Sequence, residues 1–207
     1  MARPNAVGFP DVIPALLQTD AYIRAVLRRY GHTGPDLETG VEARLARNAL
    51  FTRRSGPALT FYIHENALNA MVGDSTVMNE QLIQLQLASS PPHCQIHVVP
   101  ATAEESGDGR EFSVFFQHEG NQPVFHVDAF TASLFLEEDR VIAYHREFLR
   151  HLPTAALDRD QSRNWIVNRT SELEQNTPWQ RAAACRGVHA TDRHGAFRNG
   201  KTLPPGN

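Results

Sequence analysis

Cysteine is scarce: Cys94 and Cys185 are the only two in 207 residues. That is too few for a disulfide framework, so a reducing cytoplasm is the expected compartment. No apolar run approaches the ~20 residues that cross a bilayer, so a membrane protein is not expected. Met1 to Pro10 holds no charged stretch leading into an apolar one, and a secretory signal is not expected either. There is no Gly-x-Ser-x-Gly elbow, no Gly-x-Gly-x-x-Gly turn and no Walker loop, so nothing supports an elbow-type hydrolase or nucleotide binding by those modes. No internal repeat of fixed period occurs.

What is present is ordinary globular composition. Hydrophobic residues make up 41% and charged residues 21%, which excludes global disorder. The length fits one domain with an appendage. Charge is uneven along the chain. Beyond Asn176, five cations (Arg181, Arg186, Arg193, Arg198 and Lys201) face Asp192 alone, so this segment carries +4 and the remainder −7 of the total −3. An acidic body repels phosphates and is a poor candidate for nucleic-acid binding. The sequence divides into an organised domain, residues 9–175, and a basic, loop-rich tail, residues 176–207, that can lie on its own acidic body.

Apolar spacing places helices early. Ile13, Leu16, Leu17, Ile23, Val26 and Leu27 recur at steps of three and four, with a break at Gln18-Thr19-Asp20 where Thr19 caps a second helix. His32 to Glu38 reads as a connector. Thr39 and Glu42 form a capping box that opens a helix to about Phe51, with Val41, Leu45 and Leu50 inward. A strand is expected over 58–63, helices over 66–72 and 75–88, and a strand over 94–99. A hairpin pairs 111–117 with 124–128, and another strand covers 132–136. Helices over 138–152 and 158–173 follow, the second opened by an Asp-x-x-Gln box. The layout predicts an α+β fold: a small, mostly antiparallel sheet with helices packed on one face.

Several of these segments resemble a known family. Ile13-Pro14-Ala15-Leu16-Leu17-Gln18-Thr19 with Tyr22, then Val41, Arg44 and Arg47, then Ile63-His64-Glu65-Asn66-Ala67-Leu68 with Val72-Gly73, Met78 and Gln81-Leu82, form an ordered series. Val99-Pro100, Phe112, Ala156-Leu157 and Ser162 continue it. Together they resemble the C-terminal sensor domain that follows the helix-turn-helix in many actinobacterial Xre-type regulators, also described as Scr-type antitoxin-like regulators, a domain formerly of unknown function. The likeness spans roughly Phe9 to Leu173. Ala15 stands where the family usually has Gly, Asn48 where it has Gln, and His64 where it has Asp. Only about eight residues precede Phe9, so the resemblance implies a copy without the helix-turn-helix, and direct DNA reading is not expected. It implies instead a domain that binds a small-molecule ligand or a protein partner, with self-association into a homodimer as an option.

The candidate chemistry is modest. If strand alternation continues, Glu65 shares a face with Leu59, Phe61 and Ile63, where burial would raise its pKa and suit it to acid/base work or ligand binding. Alternatively it opens the next helix and pairs with Arg44 or Arg47. His64 titrates near neutrality and can pass a proton. His126 and Asp128 share a strand face, so the carboxylate can orient the imidazole, although Phe125 and Val127 then take the core side. Tyr22, Arg44, Arg47 and Gln81 are the expected ligand-binding residues. No metal is assigned: His93 and His97 lie ~13 Å apart along a strand, and Cys185, His189 and His194 supply three ligands without a fourth. No cofactor is implied. Two functions stand: a binding, sensor-like regulatory domain, and a cofactor-free acid/base enzyme of specialised metabolism in which Glu65 with His64, or His126 with Asp128, moves the proton.

Overall fold

Gln18 ends a 3-10 turn, Ala15–Leu17, and Thr19 caps the start of α1, Asp20–Arg29; the Thr19 hydroxyl accepts from the amide of Tyr22 at 3.3 Å. This is the expected break, and Ile13, Leu17, Ile23, Val26 and Leu27 are buried as their spacing requires, whereas Leu16 is half-buried and Tyr30, expected on the same face, is exposed at the end of α1. The computed structural model describes residues 12–51, 59–103, 113–115, 124–129, 132–136 and 138–175. The basic tail lies outside them.

The second helix, α2, runs Gly34–Phe51 and so begins well before the expected capping box. Thr39 sits inside it, its hydroxyl donating back to the Pro35 carbonyl at 3.0 Å instead of capping. The segment read as a connector is the first turn of the helix, which Gly34 enters at φ +55°. Leu37 and Val41 pack on Ile23 and Leu27 of α1, and Arg24 reaches Glu38 at 2.6 Å, lowering the pKa of that carboxylate. Leu45, expected inward, is exposed.

The centre of the molecule is a strand–helix–strand unit. β1, Leu59–His64, leads into the short α3, Glu65–Asn69, then α4, Ser75–Ala88, then β2, Cys94–Val99. Asp74 caps α4 through the amides of Thr76 and Val77. Gly73 turns the chain before it at φ +73°, where a Cβ would stand 3.2 Å from the Cβ of Ala25. Because the helices carry the chain back the length of β1, β2 starts at the same end, and the two strands pair in parallel, Leu59 opposite Cys94 through His64 opposite Val99.

This overturns the expected mostly antiparallel sheet. The described residues are mostly helical, and the sheet at their core is two parallel strands. The expected hairpin forms elsewhere, in a separate ribbon of β3, Ser113–Phe115, β4, Val124–Ala129, and β5, Ala132–Leu136. Helices on one face alone are likewise corrected. Phe61, Ile63, Ile96 and Val98 join the main core with Leu68, Met78, Leu82, Leu85 and Ile166. The other face turns Tyr62 and Val99 toward Leu149 and Leu152 of α5, Asp139–Ala155.

The final helix, α6, Arg159–Gln175, opens with the expected box: Gln161 N donates to Asp158 at 2.8 Å and Asp158 N to Gln161 at 3.1 Å. The chain between α5 and α6 closes the free side of β2. Leu157 N donates to the Val98 carbonyl at 2.8 Å, and Val98 N donates to the Ser162 hydroxyl at 2.9 Å.

Candidate functional site

Three of the four expected ligand-binding residues converge on one stretch of main chain, Ile13 to Thr19. Gln81 on α4 is fully buried; its amide donates to the Leu17 carbonyl and accepts from Thr19 N, both at 2.8 Å. Tyr22 is equally buried and accepts from Ile13 N at 3.1 Å. Arg44 on α2 donates to the Gln18 side chain at 3.3 Å. Gln81 and Tyr22 therefore clasp the 3-10 turn onto the core, and the Gln81 amide is spent at both ends. A carboxamide so engaged holds shape and moves no proton. Arg47, one turn beyond Arg44, is half-buried.

Two further polar residues complete this corner. Gln18 is buried and donates to the Ile13 carbonyl at 2.7 Å. Asn48, on the same face of α2 as Arg44, donates to the Gln18 carbonyl at 3.3 Å. The Asn48 side-chain oxygen is buried and has no hydrogen-bond partner among the described residues. An unmet buried acceptor costs about 1–3 kcal/mol, and so marks a point where a donor would bind with advantage. The sequence offered Asn48 only as a departure from the family pattern.

Glu65 is not on the apolar face. β1 ends at His64, and Glu65 is the first residue of α3, half-buried, its carboxylate accepting from Ala101 N at 2.8 Å. Of its two sequence readings, the helix-opening one describes its place, with a main-chain amide beyond β2 as partner. His64 is the N-cap of α3: its Nδ1 accepts from Asn66 N at 3.1 Å. An aspartate, the family's usual residue there, would do the same work. His126 and Asp128 sit at alternate positions of β4, opposite Phe135 and Ser133 of β5; their side chains lie outside the described residues. The structure thus places the eight expected residues in three separate regions.

One residue that the sequence offered only as a metal ligand has a different setting. His97 on β2 stacks on Tyr62 of β1, with centroids 5.3 Å apart and planes at 23°. Its Nδ1 lies 2.9 Å from the Leu157 carbonyl. A carbonyl accepts only, so Nδ1 is the donor in this contact, and in the neutral tautomer Nε2 holds the lone pair. Burial raises the pKa of the Tyr62 phenol. Among the described residues, no group of three or more His, Cys, Asp or Glu is placed to hold a metal ion, and no helix is long and apolar enough to cross a membrane.

Fold and site define a helix-rich α+β domain built on one strand–helix–strand unit, with polar side chains gathered where α1, α2 and α4 meet. The model of a family described as a domain of unknown function, DUF5753, matches residues 5–168. The chain belongs to this family. No curated protein and no solved structure matches it.

Proposed function

We propose that this is a sensor-type regulatory domain whose small-molecule ligand is held at the corner formed by the 3-10 turn, α1 and α2. The observation that carries the reading is the buried Asn48 oxygen beside Arg44 and Gln18. The ligand offers an N–H or O–H to that oxygen and an anionic group to the guanidinium of Arg44. Small hydroxy acids and amino acids have this chemistry. The resemblance to the sensor half of Xre-type regulators supports a regulatory role, in which ligand or partner binding is the output-setting event.

Thermal unfolding of the full chain in a panel of hydroxy acids and amino acids tests it. One or more should raise the midpoint in the wild type and none in Asn48→Leu. A panel that shifts neither protein, or both equally, removes Asn48 from any site.

A second reading, cofactor-free acid/base catalysis, is favoured by His97, whose Nδ1 is held by the Leu157 carbonyl and whose Nε2 has no hydrogen-bond partner among the described residues. Glu65 and His64, the earlier candidates for this work, are committed to main-chain amides. Exchange of solvent deuterium into a panel of carbon acids, lost in His97→Gln, would support this reading over simple binding.

A further inference from the structure

Helices α4 and α6 lie side by side on one face of the central sheet; Met78, Leu82 and Leu85 of the first and Ile166 and Leu173 of the second enter the same core. Arg159, at the start of α6, donates to the Ser89 carbonyl just past the end of α4 at 2.8 Å, and Gln86 donates to the Thr170 hydroxyl at 2.9 Å. The last helix therefore runs back along α4, and Gln86 and Thr170 mark the seam between them. Three large apolar side chains stand on the solvent side of that seam. Ile83 and Leu87, one turn apart on α4, are 41% and 62% exposed, and Val167, one turn before Thr170 on α6, is 40% exposed. Asn79 precedes Ile83 by one turn. Its side-chain oxygen is buried and has no hydrogen-bond partner among the described residues. An open apolar strip thus lies next to an acceptor that lacks a donor.

The chain itself supplies a group that fits both. Five residues beyond Thr170, α6 ends at Gln175, about 7.5 Å further along its axis and level with the N-terminal half of α4. The sequence continues Asn176-Thr177-Pro178-Trp179-Gln180-Arg181. Pro178 lacks the N–H that a continued helix needs. Trp179, four residues past Gln175, stays within about 14 Å of it. Its indole is a large apolar ring with one N–H that takes an acceptor when buried. Charge favours the same placement. Glu80, beside Ile83 on the outer side of α4, is exposed. Arg181 follows Trp179 by two residues, and the segment beyond Asn176 carries +4 against −7 on the rest of the chain.

We propose that residues 176–186 of this chain dock on the α4–α6 seam. The Trp179 ring covers Ile83, Leu87 and Val167, its indole N–H donates to the Asn79 side-chain oxygen, and Arg181 faces Glu80. The chain's own tail is favoured over a separate molecule because it leaves α6 beside the strip. Attachment over so short a span holds Trp179 at an effective concentration on the order of millimolar. The seam shares no residue with the Asn48 corner.

The test uses the full chain in solution nuclear magnetic resonance. Trp165 and Trp179 are the two tryptophans, so Trp179→Phe identifies the indole signal to follow. The Trp179 indole N–H should be protected from solvent exchange and show nuclear Overhauser contacts to the methyl groups of Ile83, Leu87 and Val167, equally at low and high protein concentration. Leu87→Glu, at an exposed position, should abolish those contacts and the protection, with the far-ultraviolet circular dichroism unchanged. Asn79→Leu should speed exchange of the indole N–H. Should Leu87→Glu fail to fold, the wild-type contacts and their concentration dependence decide. A freely exchanging indole with no contact to the seam overturns the proposal. So do contacts indifferent to Leu87→Glu, or contacts that grow with concentration, which would give the strip to a second copy.

Discussion

Gln81 and Thr19 are joined by a 2.8 Å hydrogen bond across 62 residues of sequence, from a side-chain oxygen in the core to the amide that begins α1. The other end of the same carboxamide holds Leu17. One side chain therefore fastens the entry of the chain to α4. Gln81→Leu leaves two buried main-chain groups unmet and should cost about 2–4 kcal/mol in urea unfolding. Gln81→Glu keeps the bond to Thr19 and should also destabilise, because a buried carboxylate would face the Leu17 carbonyl. Stability equal to wild type in both variants would show that the clasp does not hold.

His97 offers a prediction independent of ligand. Long-range proton–nitrogen correlation spectra of the neutral ring should report the Nδ1–H tautomer, because Leu157 O can only accept. His97→Phe keeps a ring against Tyr62 but strands the carbonyl, with an expected loss of about 1 kcal/mol. An Nε2–H tautomer would mean that the Leu157 contact is not a hydrogen bond.

At the end of β1, His64 acts as a cap. His64→Ala should cost about 1 kcal/mol by freeing the Asn66 amide, whereas His64→Asp should match or exceed wild type. Denaturant midpoints of the three proteins, compared at neutral pH, check the order. An Asp variant no better than Ala would deny the cap its weight.

Burial pushes the Cys94 thiol up to about 11, against a smaller opposing pull from Arg159. The folded chain then keeps a proton that the unfolded chain releases near the ordinary thiol value. Stability from this group is complete below that value and is lost as pH rises toward 11, by on the order of 2 kcal/mol. In a Cys185→Ser background, the alkaline loss of stability should be smaller in Cys94→Ala than in its parent. The thiol should also resist disulfide reagents until the chain unfolds.

Features governed by near neighbours were legible in the sequence. Thr19 as a cap, the bounds of α4 and β2, and the Asp158–Gln161 box each depend on residues within one turn or one strand, and each reads correctly. Local signals also mislead where two compete. Thr39 and Glu42 spell a capping box, yet Gly34-Pro35 starts the helix earlier and leaves Thr39 as an interior residue. Alternation along β1 extends to Glu65 on paper, but His64 ends the strand and rotates Glu65 onto a helix.

Composition, periodicity and turn chemistry by themselves determined that this chain forms a globular body with helices and short strands at given places, because burial and local hydrogen bonding act on adjacent residues. Only the tertiary structure decided that β1 and β2 run parallel, that Gln81 and Tyr22 clasp the first turn, and that His97 is oriented by a carbonyl 60 residues away. Each of these rests on which distant segments meet, and that is set by the packing of whole elements against one another.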